Sequence, residues 1–319
     1  GQDISALVRD EVFLDGSDTE DLDGNPISYE WSFISRPPQS QAEITLADRP
    51  VARFMPDTWG EYVVQLTAST DFETKTAGAV VMVDPQSIFL SGVINSADEE
   101  WGKTTPDDMP DYIVTGSLSL RNSNIKILPG VIIEIREGNW ILVESNSSLD
   151  AEGTDEEMIV FRGAEPLPGY WDGIRIASGS GNNKLIYTHV RDGGGGTNND
   201  AGNVSFRAGG RLHLENSIIE NSSAMGLNLG IATNPELNLT HINNVYINNQ
   251  SPVACRANYF HMLDGASDYS QNQRAYIDTQ GRSSIVNNGT EISWEKLNVP
   301  YFIGNAFIRT QTHLVLEPG

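Results

Sequence analysis

The stretch that decides the fold runs from 211 to 247 and reads RLHLENSIIENSSAMGLNLGIATNPELNLTHINNVYI. Leu212-His213-Leu214 aligns with Leu237-Asn238-Leu239 at an offset of 25, and each triplet is followed by asparagine-rich residues and a second apolar run. Within each run the apolar residues recur at every second position, the period of a strand rather than of a helix. Working outward, similar strand-sized runs recur at 125–127, 131–135, 140–144, 158–161, 173–176, 184–190, 203–206 and 274–277. Coils of roughly 20–25 residues, each holding several short strands, predict a parallel β-helix rather than a sandwich. Residues 182–258 hold 15 asparagines, which suits stacked turns. Asparagine tolerates the left-handed backbone, and its amide can bond to its counterpart in the next coil.

A second, longer repeat supports the same class. YIVTGSLSLRNSNIKILPG at 112–130 returns without a gap as YFIGNAFIRTQTHLVLEPG at 301–319, every pair offset by 189. Only Tyr112/Tyr301, Pro129/Pro318 and Gly130/Gly319 are identical, yet the apolar positions stay in phase: Ile113/Phe302, Val114/Ile303, Leu118/Phe307, Ile125/Leu314 and Ile127/Leu316. Each unit of such an array needs a neighbour to bury its apolar face. The expectation is that Phe302, Ile303, Phe307, Leu314 and Leu316 lie at the end of the solenoid, where a second module begins and the chain is cut from a longer protein.

Composition places the chain among folded proteins, with 39% hydrophobic and 20% charged residues in 319. The net charge of −23 is uneven: residues 1–111 hold 22 acids against 6 bases. Such a surface repels phosphate backbones, so no nucleic-acid partner is expected. A single cysteine, Cys255, excludes an internal disulfide and reads as a buried small hydrophobe. No window is apolar enough for a transmembrane segment, and no signal peptide is visible, although the start at Gly1-Gln2-Asp3 reads as trimmed.

The first third has a different rhythm. Strand-like runs at 12–14, 27–34, 42–46, 51–54, 60–69 and 76–83 alternate with turn signals such as Asp-Gly at 15 and 23 and Pro-Asp at 56. This is a small β-sandwich pattern. The fold class is therefore all-β: an Ig-like sandwich at 1–86 followed by a parallel β-helix at 87–319.

The series LDGSDTEDLDGNPISYEWSF, FMPDTWGEYVVQLTAS and AVVMV resembles a PKD-type Ig-like domain across residues 8–84. The resemblance implies Trp31 as the core tryptophan, Tyr62 as the corner tyrosine, and a secreted or cell-surface module. From 112 to 250, the ordered series of IKILPGVIIEI, DAEGTDEE, GYWDGIRI and NSIIENSS resembles right-handed parallel β-helix proteins of bacterial surfaces. That resemblance implies a fold, and fold does not carry an activity with it.

Three sets of residues are candidates for chemistry. Asp18, Asp21, Asp23 and Asn25 place oxygen ligands close together around Gly24, as a calcium loop requires, although no glutamate or flanking helices complete an EF-hand. His189, Arg191 and Asp192 are the nearest approach to a catalytic cluster, with His189 and Arg191 on one strand face; surface residues beside Gly193–Gly196 would look the same. Tyr170 and Trp171 could stack on a sugar ring or pack under a loop. β-Helix glycan hydrolases and lyases need paired carboxylates, or a base beside a calcium-bound uronate. The Gly-His-Gly and Arg-x-Lys elements of polygalacturonases are absent from this sequence. The expected function is thus a non-catalytic, secreted or surface-anchored bacterial protein serving adhesion, glycan binding or surface architecture. Its partner would be an extracellular polysaccharide or another surface protein, and no cofactor would be required unless calcium binds. The alternative is a polysaccharide lyase or glycoside hydrolase acting in a β-helix groove.

Overall fold

The computed structural model describes residues 3–196, 200–207, 209–230, 238–279, 282–285, 291–308 and 313–318. It is all-β, and the chain forms two compact units, 1–88 with 102–111 and 89–101 with 112–319.

In the first unit, one sheet orders its strands Ile4–Leu7, Thr74–Asp84, Gly60–Ser69 and Ser28–Ser35, and Val12–Asp15 pairs with Val51–Phe54 in a second. Alternation explains the layers. In Gly60–Ser69 the inward Tyr62, Val64 and Leu66 are buried against Val12, Leu14, Phe54, Val81 and Val83. Each such side chain taken from water contributes on the order of 1.5–3 kcal/mol. Trp31 lies in this core and donates its indole N–H to Arg49 O at 3.1 Å. The Tyr62 hydroxyl, also buried, sits 3.1 Å from Thr58 O. Both residues hold the places that the resemblance implied. The run at 42–46 forms only one isolated bridge, Thr45 to Arg53, rather than a strand, whereas Ile4–Leu7 is a strand too short to signal itself. The segment 102–111, which a boundary at 86/87 would give to the solenoid, lies with the first unit. There Asp111 Oδ1 accepts from the amides of Thr104 at 2.6 Å and Thr105 at 2.9 Å, while Gln86 N donates to Thr104 O.

The second unit is a parallel β-solenoid of about 8 turns. One six-stranded sheet stacks Asp98–Trp101, Asn124–Ile127, Ser148–Glu152, Lys184–Ile186, Arg211–Glu215 and Asn238–Ile242, all parallel. The register corrects the sequence alignment. Leu212 pairs with Leu239, 27 positions on, not with Leu237, which lies outside the described residues. Coils are longer than expected because loops swell them: Asp150 pairs with Lys184, spanning a turn that carries residues 153–183.

The asparagine-rich corners have a clear physical basis. Asn122, Asn146, Asn216, Asn221, Asn243 and Asn248 all take positive φ, and each precedes a buried polar residue: Ser123, Ser147, Ser217, Ser222, Asn244 or Asn249. Those buried groups bond coil to coil. Thr188 N donates to Ser217 Oγ at 3.1 Å, Ser217 N to Asn244 Oδ1 at 3.0 Å, and Asn244 N to Ser267 Oγ at 2.7 Å. Backbone groups at the bend, which leave the sheet ladder, are thereby satisfied.

Candidate functional site

Three turns of the solenoid converge on the loop 192–196. Strand Thr188–Arg191 buries Thr188 and Val190 and turns His189 and Arg191 outward together, as the alternation predicts. The chain then bends at Asp192, φ 70°, into the glycine run. Gly193 N donates to Asn203 Oδ1 at 2.8 Å, and Gly195 N to Trp171 O at 2.9 Å. Strand Gly173–Ile176 begins against this loop. A Cβ on Gly173, φ +106°, would stand 2.0 Å from Gly202 O, so only glycine fits after Trp171-Asp172.

The structure therefore gathers His189, Arg191, Asp192, Tyr170 and Trp171 around one loop. Trp171 is fully buried and donates its indole N–H to Arg191 O at 2.7 Å, so it is a packing residue with no free face for a sugar. Tyr170 is half-buried beside Gly163. His189 Nε2 lies 2.8 Å from Glu220 Oε2. Burial lowers the imidazole's pKa against the opposing pull of Glu220, and burial raises that of Asp192. Asp192 is buried rather than a surface residue; Oδ1 accepts from Asn221 Nδ2 at 2.7 Å, and Oδ2 has no hydrogen-bond partner among the described residues.

Sequence reading missed the neighbouring charged cluster. Arg175, 5% exposed, donates from Nη2 to Asp172 Oδ2 at 2.9 Å and reaches Asp200 Oδ2 at 3.4 Å from Nε. Arg207 Nη2 donates to the same Asp200 oxygen at 2.7 Å. The Arg175 guanidinium also lies 5.3 Å from the centre of the half-buried Trp140 ring. The burial of Arg175 in GIRI was unreadable because Gly196 and Asp200, which come to lie against its guanidinium, belong to the next turn. Gly196 stands close enough that its Cβ would meet Arg175 Nη2 at 3.3 Å.

A second buried network lies farther along. His241 Nδ1 sits 2.6 Å from Asp264 Oδ2 and its Nε2 2.7 Å from the Tyr246 hydroxyl, with the Tyr246 and Tyr269 rings stacked at 5.4 Å. Desolvation works to raise the Asp264 pKa, but hydrogen bonds from His241, Ser267 and the Asn243 amide outweigh it and hold the carboxyl at about 2. Cys255 is buried, and desolvation pushes its thiol pKa up, which keeps it protonated and inert at neutral pH.

In the first unit, the acidic turn is closed on itself. Asp21 Oδ1 accepts from the amide of Asp23, the amide of Asn25 and the Asn25 side chain, each at 3.0 Å. Asp18 and Asp23 are exposed, and among the described residues no three His, Cys, Asp or Glu side chains group so as to hold a metal ion. No described helix is long and apolar enough to cross a membrane.

The PKD-domain family model matches residues 1–83, so the first unit is a PKD-like domain. Among solved structures, a nucleoside hydrolase-related hypothetical protein from Saccharophagus degradans associated with carbohydrate metabolism is 21% identical over 25% of this chain and 22% of that one, at a TM-score of 0.24. This chain thus spans about a fifth of that protein's length. The solution structure of the PKD domain from the KIAA 1837 protein is 28% identical over 27% of this chain and 88% of that one, at a TM-score of 0.23. No curated protein matches the chain.

Proposed function

We propose that the chain is a non-catalytic extracellular binding protein of a bacterial surface, in which a PKD-like domain accompanies a parallel β-solenoid that contacts polysaccharide or another surface protein. The observation that carries this reading is the fixed pairing of the charged groups at the candidate site. Asp172 and Asp200 are both tied to Arg175, and His189 to Glu220, while Trp171 is spent on packing. Arg175 and Arg207 hold the Asp172 and Asp200 carboxylates in ion pairs, whereas glycan hydrolysis calls for a carboxylate pair flanking the scissile bond. The PKD-like domain supports the extracellular setting.

Incubation with a panel of acidic and neutral polysaccharides tests the proposal. Retention of a polysaccharide with no new chain ends is the expected result. A second reading, a lyase or glycoside hydrolase, is favoured by one observation: burial lowers the pKa of His189 and raises that of Asp192, bringing an acid and a base nearer each other's range. Cleavage that disappears in His189→Ala or Asp192→Asn would establish that reading and overturn the first.

A further inference from the structure

We infer that the outward side chains of Arg162 and Arg191 together bind one oxyanion carried by an acidic sugar, a carboxylate or a sulfate group, with the Tyr170 ring against the sugar. The inference deepens the polysaccharide reading above and rests on it.

Four stacked strands put charged residues on one outward row. Ile132–Ile135, Ile159–Gly163, Thr188–Arg191 and Ile218–Glu220 alternate in burial, which turns Glu134, Arg162, Arg191 and Glu220 outward. Glu134 pairs with Arg162 across the ladder, and Arg191 pairs with Glu220. Between them Phe161 pairs with Val190, so the next residues, Arg162 and Arg191, lie side by side on strands about 4.8 Å apart. Like charges opposite each other in a sheet repel.

The carboxylates around the two arginines are shared or engaged elsewhere. Glu134 lies 3.7 Å from both Arg162 and Arg136, and Glu220 Oε2 is 2.8 Å from His189 Nε2. Asp192 Oδ2 stands 3.9 Å from Arg191 Nε, beyond hydrogen-bond reach, and neither of these buried atoms has a hydrogen-bond partner among the described residues. Burial also raises the Asp192 pKa, which lessens its charge beside an incoming anion. A buried donor without an acceptor is costly, and a carboxylate or sulfate offers paired oxygens in the geometry of the guanidinium fork. The Arg191 side chain is 32% exposed and that of Arg162 21%, so a ligand can reach both from solvent.

Tyr170 supplies the second half of the site. It is half-buried, and a Cβ on Gly163, the residue after Arg162, would meet its ring at 3.0 Å and Asp192 Cβ at 3.2 Å. An aromatic ring beside two guanidinium groups suits a sugar that carries an anionic group.

Retardation of the whole chain in affinity gels containing polygalacturonate, dextran sulfate or neutral dextran tests this. At least one charged polymer is expected to retard the chain at a tenfold lower concentration than neutral dextran does, and which one does so identifies the anion. Arg191→Gln is expected to weaken that binding at least tenfold with an unchanged circular dichroism spectrum. Arg191→Lys, which keeps the charge and loses the fork, is expected to weaken it by a smaller factor and serves if the glutamine variant fails to fold. Arg53→Gln, in the first unit, is expected to leave binding unchanged. Equal retardation by neutral dextran, equal loss in Arg53→Gln, or full binding in both Arg191 variants would overturn the inference and leave the polysaccharide reading standing. Retardation by no polysaccharide would overturn both.

Discussion

Residues 112–127 and 301–316 carry one apolar pattern and meet opposite fates. In the first copy, Leu118, Ile125 and Val114 are wholly buried between coils on either side. In the second, Ile303 and Leu316 are exposed, and among the described residues the strands at 301–302 and 313–316 have a neighbour on one side alone. Burial in a solenoid is thus a property of the stack and not of the residue, as nearest-neighbour energetics requires. The side chains of 305–312, Phe307 among them, lie outside the described residues.

Truncation sharpens the comparison most. Ile125→Ala should lower unfolding free energy by about 2–5 kcal/mol, the cost of a cavity in a packed core. Leu316→Ala should cost less than about 0.5 kcal/mol, as for an exposed site. Denaturant titration of both variants checks this, and equal losses would break the contrast.

The interior has a second kind of cement, in its buried polar groups, and pH probes it. The Asp264 pKa stands at about 2 in the fold, below the ordinary value of 3.8. A depressed carboxyl stabilises the fold above its unfolded pKa, and the contribution disappears as pH falls through the folded value. Stability on the order of 2 kcal/mol should therefore fade between about pH 4 and pH 2. Asp264→Asn should flatten that slope in a pH series of melts; an unchanged slope would remove Asp264 as its source.

The corner ladder comes next in size. Ser217→Ala deletes the acceptor of the Thr188 amide, leaving a buried N–H without its partner, and should cost about 1–2 kcal/mol. A neutral result in thermal melts would mean that the ladder follows the fold without supporting it.

Calcium should have the smallest effect. Because Asp21 already accepts three hydrogen bonds within its own turn, melting of the PKD-like domain should be the same in chelator and in millimolar calcium. A rise of several degrees in calcium would place the ion at Asp18, Asp21, Asp23 and Asn25.

What could be read from sequence follows the same division between local and stacked causes. Trp31, Tyr62 and the alternation of Gly60–Ser69 announce the sandwich because a strand's own residues set its buried face. The coil repeat was visible, but its length was not. Loops such as 164–172 are inserted without disturbing the strands, so pairing skips ahead by different amounts from turn to turn. For the same reason, the clusters of Arg175 with Asp200 and of His241 with Asp264 were illegible. Each joins residues from different turns, and spacing along the chain carries no trace of stacking. Asp192 looked like a surface residue because a strand end beside four glycines ordinarily is one; here the glycines let loop 192–196 pack down and bury it.

Amide hydrogen exchange, resolved by residue, measures the central contrast directly. Amides of 112–127 should exchange only through global unfolding, whereas those of 301–302 and 313–316 should exchange through local opening, orders of magnitude faster. Equal protection of the two copies would contradict the account, because strands with one neighbour among the described residues would then be as firmly held as strands with two.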